Sequence, residues 1–205
     1  MRTALVLPIL FVAAVSQASD SMTISSLSLG GGTGILGLSN VSGMNDGSYY
    51  AGPFDASLNG GATERVYCAD LLHHTEYNSA TAVTVLDTAL LGSGYQQAAR
   101  IYNKYAGGVG SDATMNAALQ AAIWKSIFPT LTYVDGTSGA SALADSYLAS
   151  SDLGSYSNHA KFYDFGGTNQ SMLGGVPNAN PVPEPASMAA LGVGAVSILR
   201  RRKKA

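Results

Sequence analysis

The chain has 205 residues, 46% of them hydrophobic and 12% charged, with a formal net charge of −2. Arg2 and the Arg200–Lys204 cluster lie in the end segments, leaving Arg65, Arg100, Lys104, Lys125 and Lys161 against thirteen acidic residues. The part between the ends is therefore acidic, which argues against nucleic acid as a partner. A single cysteine, Cys68, excludes cysteine-cluster zinc or iron–sulfur sites, and the composition points to no cofactor.

In chain order, Met1 and Arg2 precede an apolar stretch from Ala4 to Val15, and the small residues around Ala18 come next. That order predicts a secretory signal peptide over residues 1–18, which places the rest in an exported, oxidising setting. The segment 19–173 is long enough for one domain with a real core. From Met22 to Thr63 it is rich in Gly, Ser and Asn, with β-type runs such as Thr23–Leu29 and Ser48–Phe54 between turn signals. Glu64–Asp70 continues the pattern, with Val66 and Cys68 predicted on one side and Arg65 and Tyr67 on the other, and Ala80–Leu86 is a further strand candidate.

The middle changes period. Ser93–Tyr105 predicts a helix, and Ser111 or Asp112 caps a second that Pro129 stops near Phe128. A third is expected over Ala140–Ala149, after which Ala160–Phe165 and Gln170–Leu173 return to strand character. Gly30–Gly34 lacks the lysine and following helix of a phosphate loop. The expected class is α+β: a β-sandwich or barrel-like scaffold with an inserted helical subdomain. An N-terminal signal helix and a C-terminal hydrophobic helix are expected to flank it.

Residues 174–185 form a Gly/Pro/Asn linker carrying Pro183-Glu184-Pro185, and 186–205 join an apolar run to a basic cluster. The run is short for a span, since a bilayer core needs roughly 20 apolar residues. Its basic flank belongs on the cytoplasmic side, so the domain faces outward, tethered at the inner membrane until the tail is processed. The Pro-Glu-Pro triplet, the Gly- and Ala-rich apolar stretch and the terminal basic cluster together resemble the PEP-CTERM sorting signal. That resemblance implies recognition by an exosortase-type enzyme and delivery to the cell surface or extracellular matrix.

The second helix is apolar around most of its circumference, so Gln120 is predicted to be an amide in an apolar neighbourhood. A buried amide without a partner costs on the order of 1–3 kcal/mol. Tyr67-Cys68-Ala69-Asp70 and Leu119-Gln120-Ala121-Ala122-Ile123-Trp124 resemble the two signature motifs of bacterial surface thioester domains, the second a TQXA-like sequence. Matched residue by residue, Cys68 is the thiol donor and Gln120 the acyl donor, while Tyr67, Asp70, Ala122, Ile123 and Trp124 form their surroundings. Leu119 stands where that family has Thr. The resemblance implies a single-turnover adhesin that attaches to an unknown surface or matrix ligand, and not an enzyme. Tyr67, Tyr95 and backbone amides are candidate donors to the reacting oxygen.

Two other readings compete with it. Cys68 in a simply packed domain would make a structural matrix protein that binds without a covalent bond. His73 and His74 near Cys68 invite a cysteine hydrolase or, with Asp70 and Glu76, a metal site, but no spacing aims these side chains at one point.

Overall fold

A computed structural model describes residues 19–27 and 32–175, within one compact unit that ends at Gly175. The predicted signal segment 1–18, the linker beyond Gly175 and the tail 186–205 lie outside the described residues, and so do the two flanking helices expected there. Among the described residues, no helix is long and apolar enough to cross a membrane.

The described residues form ten strands and three α-helices. The strands are β1 (Ser21–Leu27), β2 (Gly34–Ser39), β3 (Gly47–Ala51), β4 (Pro53–Leu58), β5 (Thr63–Cys68), β6 (Ala80–Ala82), β7 (Thr84–Asp87), β8 (Thr132–Asp135), β9 (Lys161–Asp164) and β10 (Met172–Gly174). The helices are α1 (Ser93–Tyr105), α2 (Ala113–Ile127) and α3 (Ala140–Leu148). Seven strands form one sheet in the order β6-β1-β4-β5-β10-β9-β7, and a second sheet runs β3-β2-β8. Every pairing among them is antiparallel.

The larger sheet is nearly closed. Its two edge strands, β6 and β7, are consecutive in sequence and separated only by Val83, so the sheet must curl until its edges meet. Val83 N donates to Asp20 O, which carries the β1–β6 pairing up to that break. Closure of this kind removes exposed edges, the general liability of β-sheets.

Three strand expectations needed correction. Ser48–Phe54 is not one run: Gly52 breaks it, sending β3 to the small sheet and β4 to the large one. Ala80–Leu86 is likewise two strands, at opposite edges of the same sheet. On β5, where the alternation sets Val66 and Cys68 apart from Tyr67, all three are equally buried, because helices cover the Tyr67 side.

α2 is the centre of the helical layer. Asp112 caps it, its side chain accepting from Met115 N at 2.8 Å, and at the other end Lys125 Nζ donates to the carbonyls of Pro129 and Leu131. Helices α1 and α3, the small sheet and β5 all contact α2, which buries every residue from Asn116 to Trp124. Gly32 and Gly34, from the stretch weighed as a phosphate loop, serve this packing. A Cβ on Gly32 would lie 2.4 Å from Ser111 O, and one on Gly34 would lie 2.8 Å from the Ala117 side chain. Only bare backbone lets the start of β2 pass so near the first turn of α2.

Candidate functional site

Cys68 ends β5, where the chain leaves the sheet, and Gln120 sits at the middle of α2. Both are buried, at 1% and 0% exposure. The Gln120 carboxamide meets the Cys68 backbone in both directions. Cys68 N–H donates to Gln120 Oε1 at 3.1 Å, and Gln120 Nε2 donates to the Cys68 carbonyl at 2.7 Å. This pairing satisfies an amide that would otherwise be costly so deep in the core. It also replaces, at the end of β5, the kind of contact a neighbouring strand would make.

One turn earlier on α2, Asn116 fixes the same helix to the same strand. Tyr67 OH donates to Asn116 Oδ1 at 2.6 Å, and the Asn116 amide donates to the carbonyls of Gly110 and Asp112. The Tyr67 ring meets Tyr102 edge-on at 6.0 Å. Tyr67, proposed from the sequence as a donor to the reacting oxygen, is thus committed to Asn116. Tyr95, the other aromatic candidate, packs edge-on against Phe162 at 5.1 Å. The donor on Gln120 Oε1 is a backbone amide, that of Cys68 itself.

The sulfur faces a different set of groups. Cys68 Sγ donates to Asp70 O at 2.6 Å. Burial pushes the thiol pKa up to about 12, while the Trp124 indole and the Asp70 backbone oppose that rise without cancelling it. Trp124 borders the sulfur, yet its Nε1 makes no hydrogen bond of normal geometry and is a buried donor left without a partner. Ala122 and Ile123 are fully buried on either side of this helix turn, and Leu119 occupies its position with no exposure.

Beyond Cys68 the chain forms a loop that is tied down at many points. Ala69 N donates to Ser171 O, Gln170 Nε2 to Asp70 O, and Gln170 N to His74 O. Asp70 Oδ1 accepts from Leu72 N at 2.7 Å and Oδ2 meets His73 Nδ1 at 2.5 Å. Cys68 and Trp124 lie at one side of a cleft of about 310 Å³, with this loop as one wall and Tyr49, Tyr50, Phe54 and Tyr77 as another. His73 and His74 are exposed and border the cleft as well. Among the described residues, no group of three or more His, Cys, Asp or Glu side chains is placed to hold a metal ion.

Sequence reasoning did not find Asn116, Gln170 or the tyrosines of β3. Asn116 carried a signal, since it lies four residues before Gln120 on the same helix face. Gln170 and the β3 tyrosines carried none, because the cleft that joins them is lined by segments distant in sequence.

Residues 181–203 match the PEP-CTERM protein-sorting motif, the mark of exosortase processing and sorting to the cell surface. No curated protein matches the chain. Among solved structures the chain is similar to the N-terminal thioester domain of fibronectin-binding protein SfbI from Streptococcus pyogenes. The match has 12% identity and a TM-score of 0.43, over 78% of this chain and 94% of that one.

Proposed function

We propose that this exosortase-sorted surface protein stores an internal thioester between Cys68 and Gln120 and uses it to attach covalently to an amine- or hydroxyl-bearing partner. The observation that carries this reading is the carboxamide of Gln120 held on the backbone of the chain's sole cysteine, in a buried site beside a cleft. A glutamine serving only to fill the core would be an expensive choice on a helix whose other buried residues are mostly Ala, Leu, Ile and Trp.

The chemistry follows from the groups present. Sulfur of Cys68 attacks the side-chain carbonyl carbon of Gln120, a carbon–sulfur bond forms, the carbon–nitrogen bond breaks, and the thiol proton leaves with the nitrogen as ammonia. Negative charge develops on Oε1 during the attack. The Cys68 N–H already points at that atom, and the Trp124 Nε1–H, which borders the sulfur one turn further along α2, would be the second donor. The Cys68 carbonyl, accepting from Nε2, holds the departing nitrogen. Burial keeps water away from the product bond until a partner enters.

A partner amine or hydroxyl then attacks the same carbon, the thiol is released, and the partner is left joined through Gln120. Each molecule reacts once, so the domain is a capture device and not a turnover catalyst. Residues 19–173 are the capture domain, and the tail holds it at the inner membrane until the exosortase-type enzyme acts.

Intact mass tests the reading. The exported protein is expected to be lighter than its sequence by one ammonia, and the Cys68→Ala and Gln120→Ala variants to have their full sequence mass. Cys68 should resist alkylation until methylamine is added, and the methylamine should be found on Gln120. A protein of full mass whose Cys68 alkylates freely once unfolding is excluded would leave a non-covalent matrix module in its place.

A further inference from the structure

The walls of the cleft bear on what the partner is. Among the described residues that line it there is no Asp, Glu, Lys or Arg. A lysine ammonium entering there would leave water without finding a carboxylate, a costly exchange. Asp70, under the loop, already holds His73. What the cleft does offer is flat aromatic surface and neutral hydrogen-bonding groups. Tyr50 is 64% exposed and Tyr77 42%, with Tyr77 held by stacking on Phe54 at 6.3 Å. Asn45 supplies an amide beside them, and Thr75 and Gln170, paired with each other and with Asp70 O, keep a second amide N–H and spare lone pairs. The C–H face of a sugar ring lies on an aromatic ring, and its hydroxyls pair with side chains that both donate and accept.

We propose that this cleft is a saccharide subsite and that the partner captured is a neutral polysaccharide, joined through one of its hydroxyl groups. The covalent part of this proposal rests on the thioester reading, and the docking part does not. A sugar hydroxyl is a weak nucleophile until a base takes its proton, whereas an amine attacks as its free base. Asp70 Oδ2 holds His73 by Nδ1 at 2.5 Å, and His73 lines the same cleft as Cys68, so the proposal assigns its other ring nitrogen, Nε2, as the base. The hydroxyl oxygen bonds to the Gln120 carbonyl carbon as the carbon–sulfur bond breaks. The hydroxyl proton passes to His73 Nε2 and then to the departing sulfur, so an ester and a free Cys68 thiol result.

Trp124 is the sole tryptophan of the chain and borders the cleft, so its emission reports occupancy. The exported Cys68→Ala protein, which forms no thioester, would be titrated with maltohexaose, cellohexaose and chitohexaose, and with a tri-lysine peptide. A saturable change is expected with at least one saccharide and none with the peptide, and Tyr50→Ala should weaken saccharide binding about tenfold or more. Flat titrations with all three saccharides, or saturation by the peptide alone, would overturn the subsite. The wild-type protein incubated with the bound saccharide should gain its mass on Gln120 through a bond that hydroxylamine cleaves. His73→Gln should slow that adduct about a hundredfold while slowing the methylamine adduct less than about threefold. Equal slowing of both acceptors would overturn the role given to His73. Absence of ammonia loss in the wild type would overturn the transfer step together with the thioester, and the Trp124 titration would still decide the subsite.

Discussion

At the scale of single residues, the two side chains proposed to react are held in opposite ways. Gln120 is pinned at both ends of its amide, whereas the Cys68 thiol is kept neutral by burial, its pKa pushed up to about 12. In a Gln120→Ala variant, where no thioester forms, alkylation of Cys68 should keep rising from pH 7 to about pH 10, because the thiolate remains a minor species throughout. A plateau near the ordinary thiol value of about 8.5 would contradict the burial. The sign also governs stability. The folded state holds its proton more tightly than the unfolded chain, so this group stabilises the fold below about pH 9, and that contribution is lost as pH climbs towards about 12. Trp124 offers a second test. Trp124→Phe keeps an aromatic wall but removes the unpartnered N–H, and should slow ammonia loss on refolding by about 10²–10³-fold, followed as a time course of intact mass. An unchanged rate would assign Trp124 to packing alone.

At the scale of elements, the site depends on α2 being held against β5 and between its neighbouring helices. Tyr67→Phe removes the buried hydroxyl that donates to Asn116 and should cost about 1–2 kcal/mol in urea unfolding. Gly94→Ala attacks the other side, since a Cβ there would lie 2.5 Å from Ser126 O where α1 crosses α2, and overpacking of that kind costs roughly 1–3 kcal/mol. The helices were legible from sequence because local signals fix them: Asp112 as the cap, Pro129 as the stop, and an apolar period without a polar face. Cys68 and Gln120 were legible as residues of interest for a related reason, one a solitary thiol and the other an amide among aliphatic side chains. The strands were harder. The break at Gly52 between two sheets, the division at Val83 and the existence of β8 depend on partners far along the chain, and β8 pairs with β2 across more than ninety residues. For the same reason the aromatic wall of the cleft escaped notice, because Tyr49 and Tyr50 line it together with Tyr77, Trp124 and Gln170 from distant parts of the chain.

At the scale of the whole molecule, opposite charge distributions in the domain and the tail separate two tasks. The exported part carries five basic against thirteen acidic residues, and the tail carries Arg200 to Lys204 behind an apolar run. Basic residues beside an apolar segment stay cytoplasmic, so the tail can arrest export while the acidic domain passes outward. A short apolar run alone is a weak anchor, since a span needs at least about 17 residues. The PEP-CTERM motif over 181–203 gives the chain a processing signal. On the proposed function, a capture domain that reacts once gains nothing from remaining at the inner membrane, so release is expected to precede capture. Replacing Pro183, Glu184 and Pro185 with alanines should leave the domain in the membrane fraction at the mass of the uncleaved chain, with its ammonia loss intact. The wild-type domain should be recovered from the cell surface or medium without its basic cluster. If both proteins stayed in the membrane at the same mass, the tail would be an ordinary anchor, and the domain would have to meet its partner while still tethered.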